Sequence, residues 1–422
     1  MFFRFLSYNT IIVLGKLISS FVVSKVSAIY LGPSGYALLG NFRNIFQIVL
    51  GVSANGFESG TIKHIAENRD DKSYHSKIVS SIISFSFILS LFMGILLLIF
   101  ACELSEITLK TSNYSYVFRY LAFLLPLISI NFIILYIING LQKIKTYAKL
   151  IVLVSLINAL LTFFLIYYYR LEGAFIATIL VSAVTLTLSL LIKDVRDILS
   201  KVVLNAKNVS IQIICSMSVY VTMATYSTIL ISITYFLIRN QIISNYGENT
   251  AGYWEAMNKI STFYMVFFTS VFTLYLLPKL SVNKSVVGYR SIMSSYFKRL
   301  IPLALIIFLI LFLLRTFVVK LFLSEEFEII EQYFLLQFIG DFIKIIGFSL
   351  AFQFHAKKMV TFYFITDAVI YLSFYLLSLY FLDQFDIKGV FYAHILSCIL
   401  YFLAVSFFIF TKNNKYLEAS AE

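Results

Sequence analysis

Apolar runs of about twenty residues recur from one end of the chain to the other, joined by short polar connections. About twenty residues is the length a helix needs to cross the hydrocarbon core of a bilayer. No water is present there to satisfy backbone amides and carbonyls, so only helices and closed β-barrels can span it. These runs are continuously apolar rather than alternating, which excludes a barrel. Composition agrees: 60% of the 422 residues are hydrophobic and 13% charged, whereas soluble proteins average roughly 45–50% and about 25%. The expected fold class is therefore all-α, a polytopic membrane protein.

Twelve transmembrane helices are predicted, over 5–30, 36–60, 78–101, 117–139, 148–169, 173–193, 211–238, 251–277, 300–323, 330–354, 360–382 and 388–411. The first is preceded only by Met-Phe-Phe-Arg and has no small-residue cleavage site, so it reads as a span and not as a removed signal peptide. Of the 33 Lys and Arg, 21 lie in segments that face inward if both termini are cytoplasmic. Seven face outward: Lys110, Arg119, Arg170, Arg239, Arg315, Lys320 and Lys388. The acidic group Glu325, Glu326, Glu328 and Glu331 is also outward. This asymmetry orients the chain by the positive-inside rule. It also accounts for the net charge of +12 without a nucleic-acid partner. No loop is long enough to hold a catalytic domain outside the bilayer.

The chain repeats itself. Gly173, Phe175, Ala177, Ile179 and Leu180 open the sixth span, and Gly389, Phe391, Ala393, Ile395 and Leu396 open the twelfth at a constant offset. Gly35-Tyr36 with Asn41 and Arg43 in the second span is echoed by Gly252-Tyr253 with Asn258 and Lys259 in the eighth. A repeat of six spans returns the chain to the same side, giving two six-helix lobes in parallel orientation, related by a pseudo-two-fold. The predicted division is an N-terminal lobe over 1–193, a cytoplasmic connection over 194–210, a C-terminal lobe over 211–411 and a tail over 412–422. Two such lobes suit alternating access by rocking one against the other.

Nine ionisable residues fall inside the predicted spans: Lys16, Lys25, Arg43, Glu58, Glu255, Lys259, Asp341, Lys344 and Asp367. A charge at the centre of a span costs roughly 2.5–3.5 kcal/mol on insertion scales, so such residues face a wet cavity or a partner. Arg43, Gln47, Gly51, Asn55 and Glu58 follow one another at near-helical spacing, with Asn41 two residues before them. They are expected to form a polar stripe lining a cavity. Lys16 and Lys25 are nine residues apart and lie on opposite faces of the first span. Glu255 and Lys259 read either as a surface pair or as cavity residues. Asp341 and Lys344 read either as a lock between helices or as functional groups, and Asp367 lies near a boundary. His355 and His394 are read as packed or interfacial side chains. Five cations point to an anionic ligand, since a guanidinium fork suits a phosphate or diphosphate. The carboxylates, Asp341, Asp367 and Glu58 among them, are candidates for a coupling cation, with H+ and Na+ both open. The 29 tyrosines read as interface belts and packing residues.

There is no P-loop, no HExxH and no nucleophile elbow. Cys102, Cys215 and Cys398 are scattered and the four histidines form no cluster, so neither metal nor cofactor is expected. An anionic ligand, two parallel lobes and no enzyme motif describe a secondary transporter for an acidic or phosphorylated substrate.

Residues 31–43, Leu-Gly-Pro-Ser-Gly-Tyr-Ala-Leu-Leu-Gly-Asn-Phe-Arg, then Leu50-Gly51 and Gly60-Thr-Ile-Lys63-His-Ile-Ala66, resemble the opening of Wzx-type O-antigen translocases, including the enterobacterial common antigen type. Gly252-Tyr-Trp254, Tyr275-Leu-Leu-Pro278-Lys-Leu-Ser281, Gln337-Phe-Ile-Gly340-Asp341-Phe-Ile-Lys344 and Phe362-Tyr363 continue the resemblance along nearly the whole chain. It implies membership of the multidrug/oligosaccharidyl-lipid/polysaccharide exporter superfamily and a cationic cavity between two lobes. The implied substrate is an undecaprenyl-diphosphate-linked oligosaccharide, moved from the cytoplasmic to the periplasmic leaflet of a bacterial inner membrane. The family's cationic cavity maps to Arg43, Lys16, Lys25 and Lys344. An O-antigen polymerase and a chain-length regulator are the partners the resemblance implies, besides the lipid bilayer. Asp341 and Lys344 match the family; Glu255 and Lys259 have no counterpart in it. Two alternatives remain. A cation-coupled multidrug exporter of the same fold would favour a net acidic cavity. A membrane-embedded polymerase would carry a large outer loop, which this chain lacks.

Overall fold

The computed structural model describes residues 2–68, 72–203, 209–276, 279–280, 286–356 and 359–418. Of the segments carrying the resemblance, Leu277, Pro278 and Ser281 lie outside the described residues, as does the side chain of His355. Among the described residues there is no strand. The α-helices are α1 (Phe2–Ser53), α2 (Glu58–Glu67), α3 (Lys72–Ile99), α4 (Ala101–Leu109), α5 (Ser115–Gly140), α6 (Ile144–Ser189) and α7 (Lys193–Val203). They continue with α8 (Ile211–Val271), α9 (Val286–Leu313), α10 (Arg315–Phe322), α11 (Phe334–Ala356), α12 (Val360–Phe385) and α13 (Lys388–Glu418).

Nine of the described helices are long and apolar enough to cross a bilayer. Three of these, α1, α6 and α8, are broken inside by one residue with positive φ: Gly32 (φ 63°), Arg170 (φ 49°) and Gly247 (φ 83°). Each break separates two spans, which restores the twelve expected from hydropathy. A single residue with positive φ ends one helix and redirects the chain into the next, and glycine does so at least cost.

These breaks also display the repeat in the backbone. Arg170 and Asp386 (φ 50°) precede the sixth and twelfth spans at the same offset as the sequence identities. Behind them, a Cβ added to Gly173 would lie 1.9 Å from the Leu165 carbonyl oxygen, and one added to Gly389 would lie 2.0 Å from the Phe381 carbonyl oxygen. The same tight corner, closed by the same glycine, is built twice. Gly32 and Gly247 mark the corresponding corners before the second and eighth spans.

The helices outrun the apolar windows. Residues 239–246, expected as an outer loop, continue α8, so Arg239 lies inside a helix. The connection expected over 278–299 is largely the first half of α9. Short helices α4 and α7 occupy stretches expected to be irregular. The second span, by contrast, is shorter than expected. It stops at Ser53, because Ala54 leaves helical geometry (φ −143°, ψ −58°) before a 3-10 turn over Asn55–Phe57. Ser53, Asn55 and Gly56 are all weak helix formers.

Backbone contacts divide the chain into two compact units. One comprises residues 1–31 and 38–232, the other 32–37 and 233–422. Residues 211–232 group with the first unit. The reason is a glycine seam. A Cβ on Gly51 would lie 2.9 Å from Thr228, one on Gly56 2.5 Å from Thr225, and one on Gly60 2.9 Å from Met217. Small residues on one helix let another approach closely, which is how helices associate in a bilayer. The first unit is filled by interlocked aromatics: Phe42 packs its ring 5.1 Å from Phe175 and 5.7 Å from Phe118. In the second, Phe308 stacks on Phe338 at 4.9 Å and Tyr333 on Phe391 at 4.8 Å. There Glu328 lies 3.1 Å from Lys320, and Glu331 lies 3.9 Å from Arg315 and accepts a hydrogen bond from Thr316 at 2.6 Å.

Candidate functional site

In the first unit, the predicted polar stripe does not remain on one face. Asn41 is fully buried and donates to the Thr108 carbonyl on α4 at 3.0 Å, so it belongs to the lobe interior and not to a cavity wall. Gly51 lies under Thr228. The helix break at Ala54 ends the periodicity on which the stripe was extended to Asn55 and Glu58. Asn55 accepts a hydrogen bond from the Tyr136 hydroxyl at 2.8 Å. Glu58 opens α2, where a carboxylate meets the positive end of the helix dipole.

Arg43 is half-buried, and Gln47, one turn further, is exposed. On the first segment of α1, Lys16 is exposed and Lys25 half-buried. Lys16 lies within electrostatic reach of Glu58, and Tyr136 and Tyr147 are also close enough to feel that carboxylate. The fold thus brings together Lys16, Glu58, Asn55 and Tyr136, a grouping that linear spacing did not show.

The second unit holds a different arrangement. Asp341 on α11 is fully buried. One carboxylate oxygen faces His394 Nε2 on α13 at 3.0 Å. The other accepts hydrogen bonds from Ser261 (2.6 Å), Gln337 (2.9 Å) and the Tyr264 hydroxyl. Gly340 makes room for this, since a Cβ there would lie 2.3 Å from the His394 ring. Asp341 therefore pairs with His394 and not with Lys344, whose ammonium lies over the Phe348 ring, 5.5 Å from its centre. Glu255 likewise pairs with Arg239 and not with Lys259. Arg239 is 1% exposed, its guanidinium 5.6 Å from the centre of the Trp254 ring. Lys259 sits over Phe263 at 5.7 Å. Asp367 is buried within electrostatic reach of Tyr371 and Tyr401.

Sequence reading missed His394 and Arg239 as partners. His394 was legible only as a lone histidine, and Arg239 was assigned to a loop. The available signal was the small residue one position from Asp341, which marks a close crossing but does not say with what.

Residues 5–284 match the polysaccharide biosynthesis protein family. The chain belongs to that family. As a member, it is similar to the lipid III flippase of Escherichia coli K12, with 24% identity over 358 residues that cover 83% of this chain and 84% of the relative. The Shigella flexneri lipid III flippase matches to the same extent. Among solved structures, an inward-facing multidrug resistance MATE transporter of the MOP superfamily superposes with a TM-score of 0.77 at 18% identity, covering 96% of each chain. The lipid II flippase MurJ, in an inward closed conformation, superposes with a TM-score of 0.73 at 16% identity, covering 97% of this chain and 88% of that one. The chain thus has the fold of MOP-superfamily transporters, with nine described helices long and apolar enough to cross a membrane, and is similar in sequence to flippases.

Proposed function

We propose that this chain flips an undecaprenyl-diphosphate-linked oligosaccharide, an O-antigen or common-antigen-like unit, from the cytoplasmic to the periplasmic leaflet of a bacterial inner membrane. The termini are cytoplasmic, as the basic residues orient them. The observation that carries this reading is the placement of cations in spans that are otherwise apolar. Exposed Lys16 and half-buried Arg43 accompany exposed Gln47 on α1. Lipid does not tolerate such groups, whereas a diphosphate recruits them. Similarity to the lipid III flippase over most of both chains supports the choice of a lipid-linked substrate.

Arg43 and Lys16 hold the diphosphate, Lys25 lies on the other face of the first span, and Lys344 serves the second unit's interior. Coupling is assigned to the carboxylates, with Asp341 first and Asp367 and Glu58 after it. One oxygen of Asp341 takes donors from Ser261, Gln337 and Tyr264, and the other faces His394 Nε2. A proton shared with His394 fits that site better than a metal cation, which would need vacant lone pairs. An O-antigen polymerase and a chain-length regulator would act on the product.

The test is leaflet assignment of the lipid-linked oligosaccharide in cells lacking the chain, read by a periplasmic enzyme that modifies the sugar. Expression of the chain restores exposure. Arg43→Ala reduces it roughly tenfold or more, since charge-assisted hydrogen bonds contribute about 1.5–3 kcal/mol, while membrane insertion is unchanged. A fully active Arg43→Ala variant removes Arg43 from the site, and exposure without the chain removes the flippase reading.

A further inference from the structure

Gln337, Asp341 and Lys344 follow one another on α11 at spacings of four and three. That spacing puts them on one helix face, with neighbouring Cβ atoms about 5–6 Å apart. An ammonium one turn from a carboxylate ordinarily closes on it. Among the described residues, however, Lys344 makes no ion pair and no hydrogen bond, and its ammonium lies against the Phe348 ring one turn further on. The reason is on the other side of the carboxylate. His394 Nε2 from α13 holds one oxygen at 3.0 Å, while Ser261, Gln337 and Tyr264 donate to the other. His394 and Lys344 thus compete for a single counter-charge.

The charges then follow the protonation of the imidazole. With a proton on both its nitrogens, His394 satisfies Asp341, and the ammonium of Lys344 is left as an excess positive charge. With His394 neutral, Asp341 becomes the counter-ion of Lys344, one turn away, and the group has no net charge. An excess charge inside a bilayer is costly until an anion meets it. Lys344 is half-buried, so part of its surface is accessible to one. Around the pair stand the Cys398 thiol, 3.8 Å from His394 Nδ1, and the Phe374 ring of α12, 5.5 Å from the imidazole. Tyr235 on α8 is within electrostatic reach of both Lys344 and Tyr264. A further carboxylate, Asp367 on α12, lies within reach of Tyr371 and Tyr401.

We propose that Asp341 is a shared counter-ion, through which a proton on His394 and a phosphate-class anion at Lys344 bind together. Naming that anion as the headgroup of a polyprenyl lipid rests on the flippase reading. Linkage makes the effect reciprocal: protonated His394 raises the affinity of Lys344 for the anion, and the bound anion raises the proton affinity of His394 by the same factor. His394 is a positioning residue in this arrangement, acting on the anion through Asp341. Proton and anion are thereby coupled inside the second unit, over one turn of α11 and one helix crossing.

The experiment titrates farnesyl diphosphate into the full chain in detergent micelles at a series of pH values, alongside the His394→Gln variant. Dividing one dissociation constant by the other at each pH removes the titration of the ligand's own phosphates. The unaltered chain should bind roughly tenfold more tightly than His394→Gln in acid, within the usual range of coupling between sites. That advantage should shrink as pH rises and His394 loses its proton. Lys344→Gln should bind no differently from the Lys344→Gln, His394→Gln double variant at any pH, whereas Lys344→Arg should keep the advantage. Inorganic pyrophosphate showing the same dependence would support the link with a free anion as ligand. A ratio that stays flat with pH overturns the proposal. So does a pH-dependent ratio that persists without Lys344, which would place the anion elsewhere. Should His394→Gln not fold, the pH profiles of the unaltered chain and Lys344→Gln decide, since only the former should steepen beyond the ligand's own titration. The flippase reading is tested apart, by sugar exposure. Its failure would leave the proton–anion link standing with another phosphorylated ligand, and a flat ratio in an active flippase would remove the link alone.

Discussion

Asp341 shows how much one side chain can be made to do by its neighbours. Alone in an apolar helix, an ionised carboxylate would be driven out or neutralised. Here His394, Ser261, Gln337 and Tyr264 supply donors from α8, α11 and α13, so the charge is held in place. Removing one partner of such a buried pair leaves the other uncompensated, which costs about 3–5 kcal/mol. Asp341→Ala should therefore lower the thermal unfolding temperature of the detergent-solubilised protein sharply. His394→Gln, which keeps a donor in reach, should lower it less. Equal melting of Asp341→Ala and the unaltered protein would show that the network contributes nothing to the fold.

The corners are the instructive elements. Gly173 and Gly389 sit where the chain folds back on the carbonyls of Leu165 and Phe381, too close for any Cβ. Gly173→Ala and Gly389→Ala should each force the corner open and reduce folded yield severely, by the same mechanism in both repeats. Size-exclusion profiles of tagged protein would show it, and a monodisperse, full-yield Gly389→Ala variant would contradict it. A second element, α7, is tied to the first unit by polar contacts as well as by Val195 and Ile198. Asp194 bonds Lys143 at 2.5 Å and Thr146 at 2.6 Å, and these hydrogen bonds hold its carboxyl below the ordinary carboxylate range. A carboxyl depressed on folding adds stability that is complete above its unfolded pKa and is lost as pH falls through the folded one. Protection of the amides across 193–203, measured against their intrinsic exchange at each pH, should thus be high at neutral pH and fall in strong acid, and Asp194→Asn should show the lower protection already at neutral pH.

For the whole molecule, the proposed orientation predicts opposite accessibility at two positions. Cys102, exposed on α4, should react with a membrane-impermeant maleimide from the periplasmic side. A cysteine at Ser200, exposed on α7, should react only once the inner membrane is opened. Reversed labelling would invert the topology and with it the direction assigned to transport.

The sequence alone determined the fold class, the twelve spans and the repeat. Each depends on the solvent: a bilayer selects helices about twenty residues long, and local hydropathy and small corner residues report them directly. It also singled out Arg43 and Asp341, because an ionisable group is conspicuous against apolar surroundings. Only the tertiary structure decided the partners. Asp341 meets His394 across 53 positions of chain, Glu255 meets Arg239 in place of Lys259, and Asn41 turns into the lobe interior. Helical spacing relates residues along one axis. Pairing between helices depends on crossing points set by residues such as Gly51, Gly56 and Gly340, and no period within a single helix encodes which side chain waits on the other side.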